Sequence, residues 1–201
     1  MRTIHPHFIV GIGGSAGALN AYKGLLDALP SNTGMAFAII SHITPTANSQ
    51  LAQILSRHTK MPVLVAANAM LIQANHVYVI PPDADLLIES NTFKIVSPRT
   101  GRNRQVDLFL TSLAEAMGAR AIGIIVSGYH SDGTEGCKQI KAKGGTTFAQ
   151  DMSAEVADMP LNAQASGWVD FVLPVDKISD ELQRLIATAS PGKSIRSKIR
   201  Q

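Results

Sequence analysis

The sequence predicts an α/β fold: a doubly wound, mostly parallel sheet flanked by helices, with an antiparallel hairpin at its edge. Two observations carry that expectation. Short, wholly apolar runs alternate with longer amphipathic ones, as strands and their covering helices do in a parallel sheet. The composition, 45% hydrophobic and 16% charged over 201 residues, suits one well-packed core that needs no disulfide or metal staple.

The elements follow in order. Phe8–Ile12 (FIVGI) is a buried strand, and a glycine-rich turn leads into a helix over Ala18–Leu29. Leu19, Tyr22, Leu25, Leu26 and Leu29 recur there at helical spacing, and Pro30-Ser31-Asn32 ends the run. Met35–Ile40 is the second strand and Ser49–His58 the second helix. Met61–Val65 and Val77–Ile80 are strands, the latter stopped by Pro81-Pro82. Leu86–Ile88 and Phe93–Val96 flank Glu89-Ser90-Asn91-Thr92 as a hairpin. Val106–Met117 is helical, with Leu108, Leu110, Leu113 and Met117 near one face. Ala121–Ser127 (AIGIIVS) is the most apolar run and so belongs near the middle of the sheet. Glu135–Lys143 is a helix closed by Gly144-Gly145, and strands at Thr146–Ala149 and Phe171–Leu173 precede a last helix over Ile178–Thr188.

Several function classes fall away at once. No run approaches the ~20 apolar residues of a membrane span, so no membrane insertion is expected. Aromatic residues are 5% of the chain and do not interleave with basic ones, which argues against a nucleic-acid surface. The single cysteine, Cys137, excludes an internal disulfide framework, fits a reducing cytoplasm and reads as a small buried residue. Much of the +3 net charge sits in the last residues, at Lys193, Arg196, Lys198 and Arg200. The expected organisation is one domain over residues 1–190 and a basic, disordered tail over residues 191–201.

The strongest local motif is GIGGSAGAL, Gly11 to Leu19, between a strand and a helix. As a dinucleotide turn it would need an acidic residue about 20 positions on to hold a ribose. No Asp or Glu lies between Leu29 and Pro81. As G-x-S-x-G, residues Gly13 to Gly17 form a nucleophile turn that presents the Ser15 hydroxyl above the sheet, or more plainly a helix start capped by a serine. A serine hydroxyl needs a positioned base. Of the six histidines, His42 follows a strand as Ser15 does, whereas His5 and His7 precede the core, His58 ends a helix and His76 sits in a turn. The base needs an orienting acid, and Ser127-Gly128-Tyr129-His130-Ser131-Asp132 follows the most apolar strand. Asp132 either holds the His42 ring or caps the helix that begins beside it, and the backbone N–H groups of this run could serve as oxyanion donors. Metal binding by His42, His130 and Asp132 is the competing use; no H-E-x-x-H or Cys/His spacing supports it.

These motifs, with AIISHITPTANSQLAQILSRHT, HVYVIPPDADLL, VDLFLTSLAEAMGARAIGIIVSGYHSDGTEG and GGTTFAQDMSAEVADMPLNAQASGWVDFVLP, resemble in order the catalytic domain of the chemotaxis protein-glutamate methylesterases (CheB). The resemblance covers about residues 8 to 188. It implies hydrolysis of glutamyl methyl esters, and deamidation of glutamines, on the cytoplasmic helices of methyl-accepting chemoreceptors, with no cofactor and no metal. It places the family's serine, histidine and aspartate on Ser15, His42 and Asp132, and the near-site positions on Ala16, Tyr129 and His130. This chain differs from many members in carrying Ala16 for Thr, and Tyr129-His130 for Met or Thr followed by Gly. The best-known members also carry an N-terminal receiver domain, whereas this sequence begins almost at the first catalytic strand; the expectation is either a stand-alone catalytic domain regulated otherwise or a piece of a longer protein. The alternative reading is a receptor-binding module on the same fold whose hydrolysis is weak or lost.

Overall fold

The computed structural model describes residues 4–42 and 48–189. The expected basic tail, residues 191–201, lies outside the described residues. Strands and helices alternate: β1 (Ile9–Gly14), α1 (Ala18–Ala28), β2 (Ala36–Ser41), α2 (Asn48–Leu55), β3 (Val63–Val65), β4 (His76–Val79), β5 (Asp85–Glu89), β6 (Thr92–Val96) and α3 (Gln105–Met117). Then come β7 (Ala121–Ile125), α4 (Thr134–Ala142), β8 (Thr146–Gln150), α5 (Asp158–Ala165), β9 (Phe171–Leu173) and α6 (Val175–Ala189).

Seven strands form one sheet in the order β3-β4-β2-β1-β7-β8-β9, every neighbouring pair parallel. β1 is the middle strand and β7 its neighbour. The chain winds from β1 through β2 to one edge, then crosses back to β7 and winds to the other. The order therefore reverses between β1 and β7, and ligands in open α/β sheets bind at the carboxyl ends of the strands at such a reversal.

Both faces of the sheet are covered, which is why β1 and β2 are buried at every position and read as unbroken apolar runs. Val10, Ile12, Phe37 and Ile39 point to one side, against α1, α2 and α6 through Leu25, Leu26, Leu51, Leu55, Ile178 and Leu182. Ile9, Ala36, Ala38 and Ile40 point to the other, against α3, α4 and α5 through Val106, Phe109, Leu113, Ile140 and Met159. Each fully buried leucine or isoleucine in these layers contributes about 1.5–3 kcal/mol of burial.

The expected elements are present, but three details differ. Leu19 is 36% exposed: the buried stripe of α1 runs through Ala18, Ala21, Tyr22, Leu25 and Leu26, and Leu19 faces away from it. Likewise Phe109 rather than Leu108 is the core residue of α3. The hairpin is antiparallel as expected but pairs with no edge strand of the main sheet; β5 and β6 form a two-stranded sheet of their own. It is held on the α3 side by Leu86, Ile88 and Phe93, the last edge-on to Tyr78 at 4.8 Å. Helix α5 was not expected from the sequence. It is one short run, DMPLNAQA, with Pro160 in its first turn and no marked apolar stripe, so periodicity carries no signal for it. The left-handed cap after α4 is present, at Gly144 (φ +81°), whose successor Gly145 donates back to the Ile140 carbonyl.

Candidate active site

Ser15, His42 and Asp132 all lie where strands β1, β2 and β7 end. The registers Gly13↔Ile40, Gly14↔Ser41 and Gly13↔Ile125 put these three carboxyl ends side by side. Ser15 follows β1 directly, its N–H donating to the Ser127 carbonyl at 2.9 Å. His42 follows β2 and donates its N–H to the Gly14 carbonyl at 3.4 Å. The serine and the histidine thus leave adjoining strands next to each other.

Ser15 does not act as the helix cap that its position allowed. The cap residue of α1 is Gly17, in the left-handed conformation (φ +72°) with no side-chain cap bond. The Ser15 hydroxyl has no hydrogen-bond partner among the described residues, and the residue is half-buried. Close approach is secured by Gly128: a Cβ there would lie 2.9 Å from the Ser15 Cβ and 2.2 Å from the Met159 sulfur.

The imidazole and the carboxylate are joined. His42 Nε2 donates to Asp132 Oδ2 at 2.5 Å, with the two side chains 6% and 0% exposed. Asp132 also accepts from Val106 N (3.0 Å, at Oδ2) and Asp107 N (2.9 Å, at Oδ1). Those N–H groups open α3, so the carboxylate sits on the positive end of a helix and is both charge-stabilised and fixed in direction. With Nε2 committed to Asp132, Nδ1 is the ring nitrogen left for a second partner.

The alternative role for Asp132, capping the helix beside it, belongs to another residue. The cap position of α4 is Gly133, without a side-chain cap bond. Asp107 Oδ1 instead accepts from Gly133 N (2.9 Å) and Gly136 N (2.8 Å). The two aspartates cap each other's helices: Asp132 holds α3, and Asp107, inside α3, holds α4. Burial pushes the Asp107 carboxyl above the ordinary aspartate range and the Asp132 charge adds to this, against the hydrogen bonds from Gly136 and Gly133. Sequence reasoning missed Asp107. Its only local signal is an acid in the first turn of a helix, and its partners lie 26 and 29 residues further on.

The near-site residues sit on the two turns that flank Ser15. Gly128 N is taken by the Val156 carbonyl at 2.9 Å, whereas the backbone N–H groups of Ala16 and Tyr129 have no acceptor among the described residues. Tyr129 is 54% exposed, and its ring lies 6.4 Å from the His130 ring, tilted to it. His130 is itself left-handed (φ +72°), a conformation that favours glycine, and Asn162 Nδ2 donates to its carbonyl at 2.9 Å. His130 therefore does not join His42 and Asp132, and among the described residues no three His, Cys, Asp or Glu side chains gather as a metal site would require.

A cavity of about 280 Å³ opens beside Ser15, lined by Gly17, Leu19, Tyr22, Ser41, Leu51 and Ile54 among others. A larger one of about 510 Å³ lies at the opposite end of the sheet, between the C-terminal ends of α1 and α2, and holds none of the predicted site residues. Cys137 is buried on α4, its thiol pushed up to about 12 by burial first and by the charges of Asp107 and Asp170.

The fold is that of an α/β protein with an all-parallel main sheet, and a serine, a histidine and a buried aspartate stand at its switch point, where such sheets bind ligands. The family model described as CheB methylesterase matches residues 10–182, and the chain belongs to that family. It is similar to the crystal structure of the Thermotoga maritima CheB methylesterase catalytic domain, with a TM-score of 0.82 and 28% identity over 89% of this chain and 98% of that one. It is 35% identical over 178 residues to a protein of Leptospira interrogans provisionally named protein-glutamate methylesterase/protein-glutamine glutaminase, covering 87% of this chain and 92% of the relative. It is 31% identical over 187 residues to the protein-glutamate methylesterase/protein-glutamine glutaminase of Hydrogenovibrio crunogenus, covering 90% of this chain and 50% of that longer protein.

Proposed function

We propose that this protein is a serine carboxylic ester hydrolase of the protein-glutamate methylesterase type, and that it also deamidates glutamines. Its substrates are the cytoplasmic helices of methyl-accepting chemoreceptors. The names of the relatives support the substrate class. The observation that carries the chemistry is the buried 2.5 Å bond between His42 and Asp132, at the strand end adjoining Ser15.

Ser15 Oγ attacks the carbonyl carbon of the glutamyl ester while its proton passes to His42 Nδ1. Asp132 keeps Nε2 protonated, fixes the ring and stabilises the imidazolium that forms. The carbonyl oxygen becomes an oxyanion, and the N–H groups of Ala16 and Tyr129 are the donors assigned to it. Collapse breaks the bond to the methoxy oxygen, which takes the proton from the ring and leaves as methanol. Water, deprotonated by the same nitrogen, then splits the glutamyl–Ser15 ester. With a glutamine substrate the leaving group is ammonia. In the bound complex the serine hydroxyl must close on the ring, a bond that is often long or absent until substrate is in place. A cytoplasmic site of action agrees with the lone buried cysteine, and among the described residues no helix is long and apolar enough to cross a membrane.

The test is methanol release from membranes carrying methylated receptors. Ser15→Ala is expected to lower the rate by about 10⁴-fold or more while the variant stays folded. Turnover retained in that variant would refute the assignment. So would a wild-type protein that binds receptor without releasing methanol and whose Ser15 resists a serine-directed phosphonate, which is the behaviour of a binding module.

A further inference from the structure

Ser127 has no chemistry in the mechanism above, yet its carbonyl and its hydroxyl are both committed to the turns that do. It is fully buried, just past the last paired residue of β7. Its carbonyl accepts from Ser15 N at 2.9 Å. Its hydroxyl donates to the Ala16 carbonyl at 2.8 Å and accepts from Val156 N at 2.9 Å. Its own N–H donates to Gln150 Oε1 at 3.1 Å.

The direction of the Ala16 N–H is set by the torsions on either side of the Ser15–Ala16 peptide. Ser127 grips the chain on both sides of that peptide, at Ser15 N through its carbonyl and at Ala16 O through its hydroxyl. The carbonyl of that peptide, Ser15 O, accepts from Ala18 N at 3.2 Å, so with its own oxygen and the groups on both sides held, the peptide is kept in one orientation. The same hydroxyl fixes Val156, whose carbonyl accepts from Gly128 N at 2.9 Å, directly before Tyr129. One side chain therefore connects both turns whose free N–H groups flank Ser15.

We infer that Ser127 is a positioning residue of the esterase: its hydroxyl aims the Ala16 and Tyr129 N–H groups at the developing oxyanion. The inference rests on the assignment of Ser15 as nucleophile. Ser127 touches no substrate, so its loss acts through donors that respond to the transition state far more than to the ground state.

The experiment compares wild type with Ser127→Ala, Ser127→Cys and Ser127→Thr, each assayed below its own unfolding midpoint and normalised to sites titrated by phosphonate. Ser127→Ala is expected to lower kcat by about 10- to 100-fold with KM within about twofold, since removing one oxyanion donor outright costs about 10²–10³. Ser127→Thr, which keeps the hydroxyl, should recover kcat to within about threefold of wild type. The pH dependence of kcat should not move, because the His42–Asp132 pair is untouched. Ser127→Cys fills the same space with a weak donor and gives the same reading where alanine fails to fold. A folded Ala or Cys variant with kcat within threefold of wild type would overturn the inference, as would a Thr variant as slow as Ala. If wild type labels at Ser15 but releases no methanol, the substrate assignment fails. The labelling rate then carries the test, because the phosphoryl oxygen occupies the oxyanion position: a drop of about tenfold in Ser127→Ala supports the inference and no drop overturns it. Wild type that neither labels nor releases methanol overturns both.

Discussion

At Tyr129-His130 the chain turns on a non-glycine residue held at φ +72°. Left-handed backbone costs an ordinary L-residue about 1–2 kcal/mol, while glycine there loses more entropy on folding, about 0.4–1 kcal/mol. The His130 side chain is exposed, and the bond from Asn162 goes to its backbone carbonyl, which glycine keeps. His130→Gly should therefore leave stability unchanged or raise it by up to about 1 kcal/mol, read as the midpoint of urea unfolding. A loss of more than about 1 kcal/mol would mean that the imidazole contributes a contact beyond this backbone account. The residue scale is also where the sequence left Ser15 and Asp132 with two readings each. A serine and an aspartate beside helix starts cap helices by local chemistry, and nothing within a few residues says whether they do so here. Ser15 leaves its helix to Gly17, and Asp132 turns back to His42 and α3.

Two helix starts are crossed at the element scale. The N-terminal turn of α3 is satisfied by Asp132, which precedes α4, and that of α4 by Asp107, which lies in α3. Each carboxylate gains the partial positive charge of a helix end, but Asp107 meets it half-buried and close to the Asp132 charge. Its folded pKa is raised, so the folded state holds its proton more tightly than the unfolded chain does. The contribution of this group is then fully present below the ordinary aspartate pKa and is lost as pH rises through the raised one. Asp107→Asn keeps an oxygen for Gly133 N and Gly136 N and removes the titration. Its stability should therefore fall less than that of wild type across this acidic interval, measured as urea unfolding free energy against pH. Parallel curves for the two proteins would contradict that account. Among the elements themselves, the strands and long helices were legible because burial on two faces or one leaves a period in the sequence. Helix α5 was not: Met159, Pro160 and Ala163 are buried on one face, but in eight residues the equally apolar Leu161 and Ala165 fall off that face, so the stripe does not stand out.

On the scale of the whole molecule, the sheet reverses its winding between β1 and β7, and that single topological fact brings residues 15, 42 and 132 to one rim. The packing that enforces it can be probed at Cys137, which is enclosed between α4 and the α3 side of the sheet and belongs to the same core as Phe109, Leu110 and Ile140. With its thiol pushed up to about 12, and no path to solvent short of separating these layers, it should react with a disulfide reagent at least about 10³-fold more slowly in the native protein than in urea, at the rate of global opening. Fast native labelling would mean that α4 detaches on its own. By itself the sequence determined the fold class, the order of the elements other than α5, and the three residues whose types suit a hydroxyl, a base and an acid, because periodicity, glycine turns and side-chain chemistry are local properties. Which nitrogen of His42 meets Asp132, which aspartate holds which helix, and that Ser127 grips the turn at Ser15 were decided only by the tertiary structure. Those contacts join residues from 25 to 112 positions apart, and their geometry exists only once parallel strands have fixed how far each strand end projects.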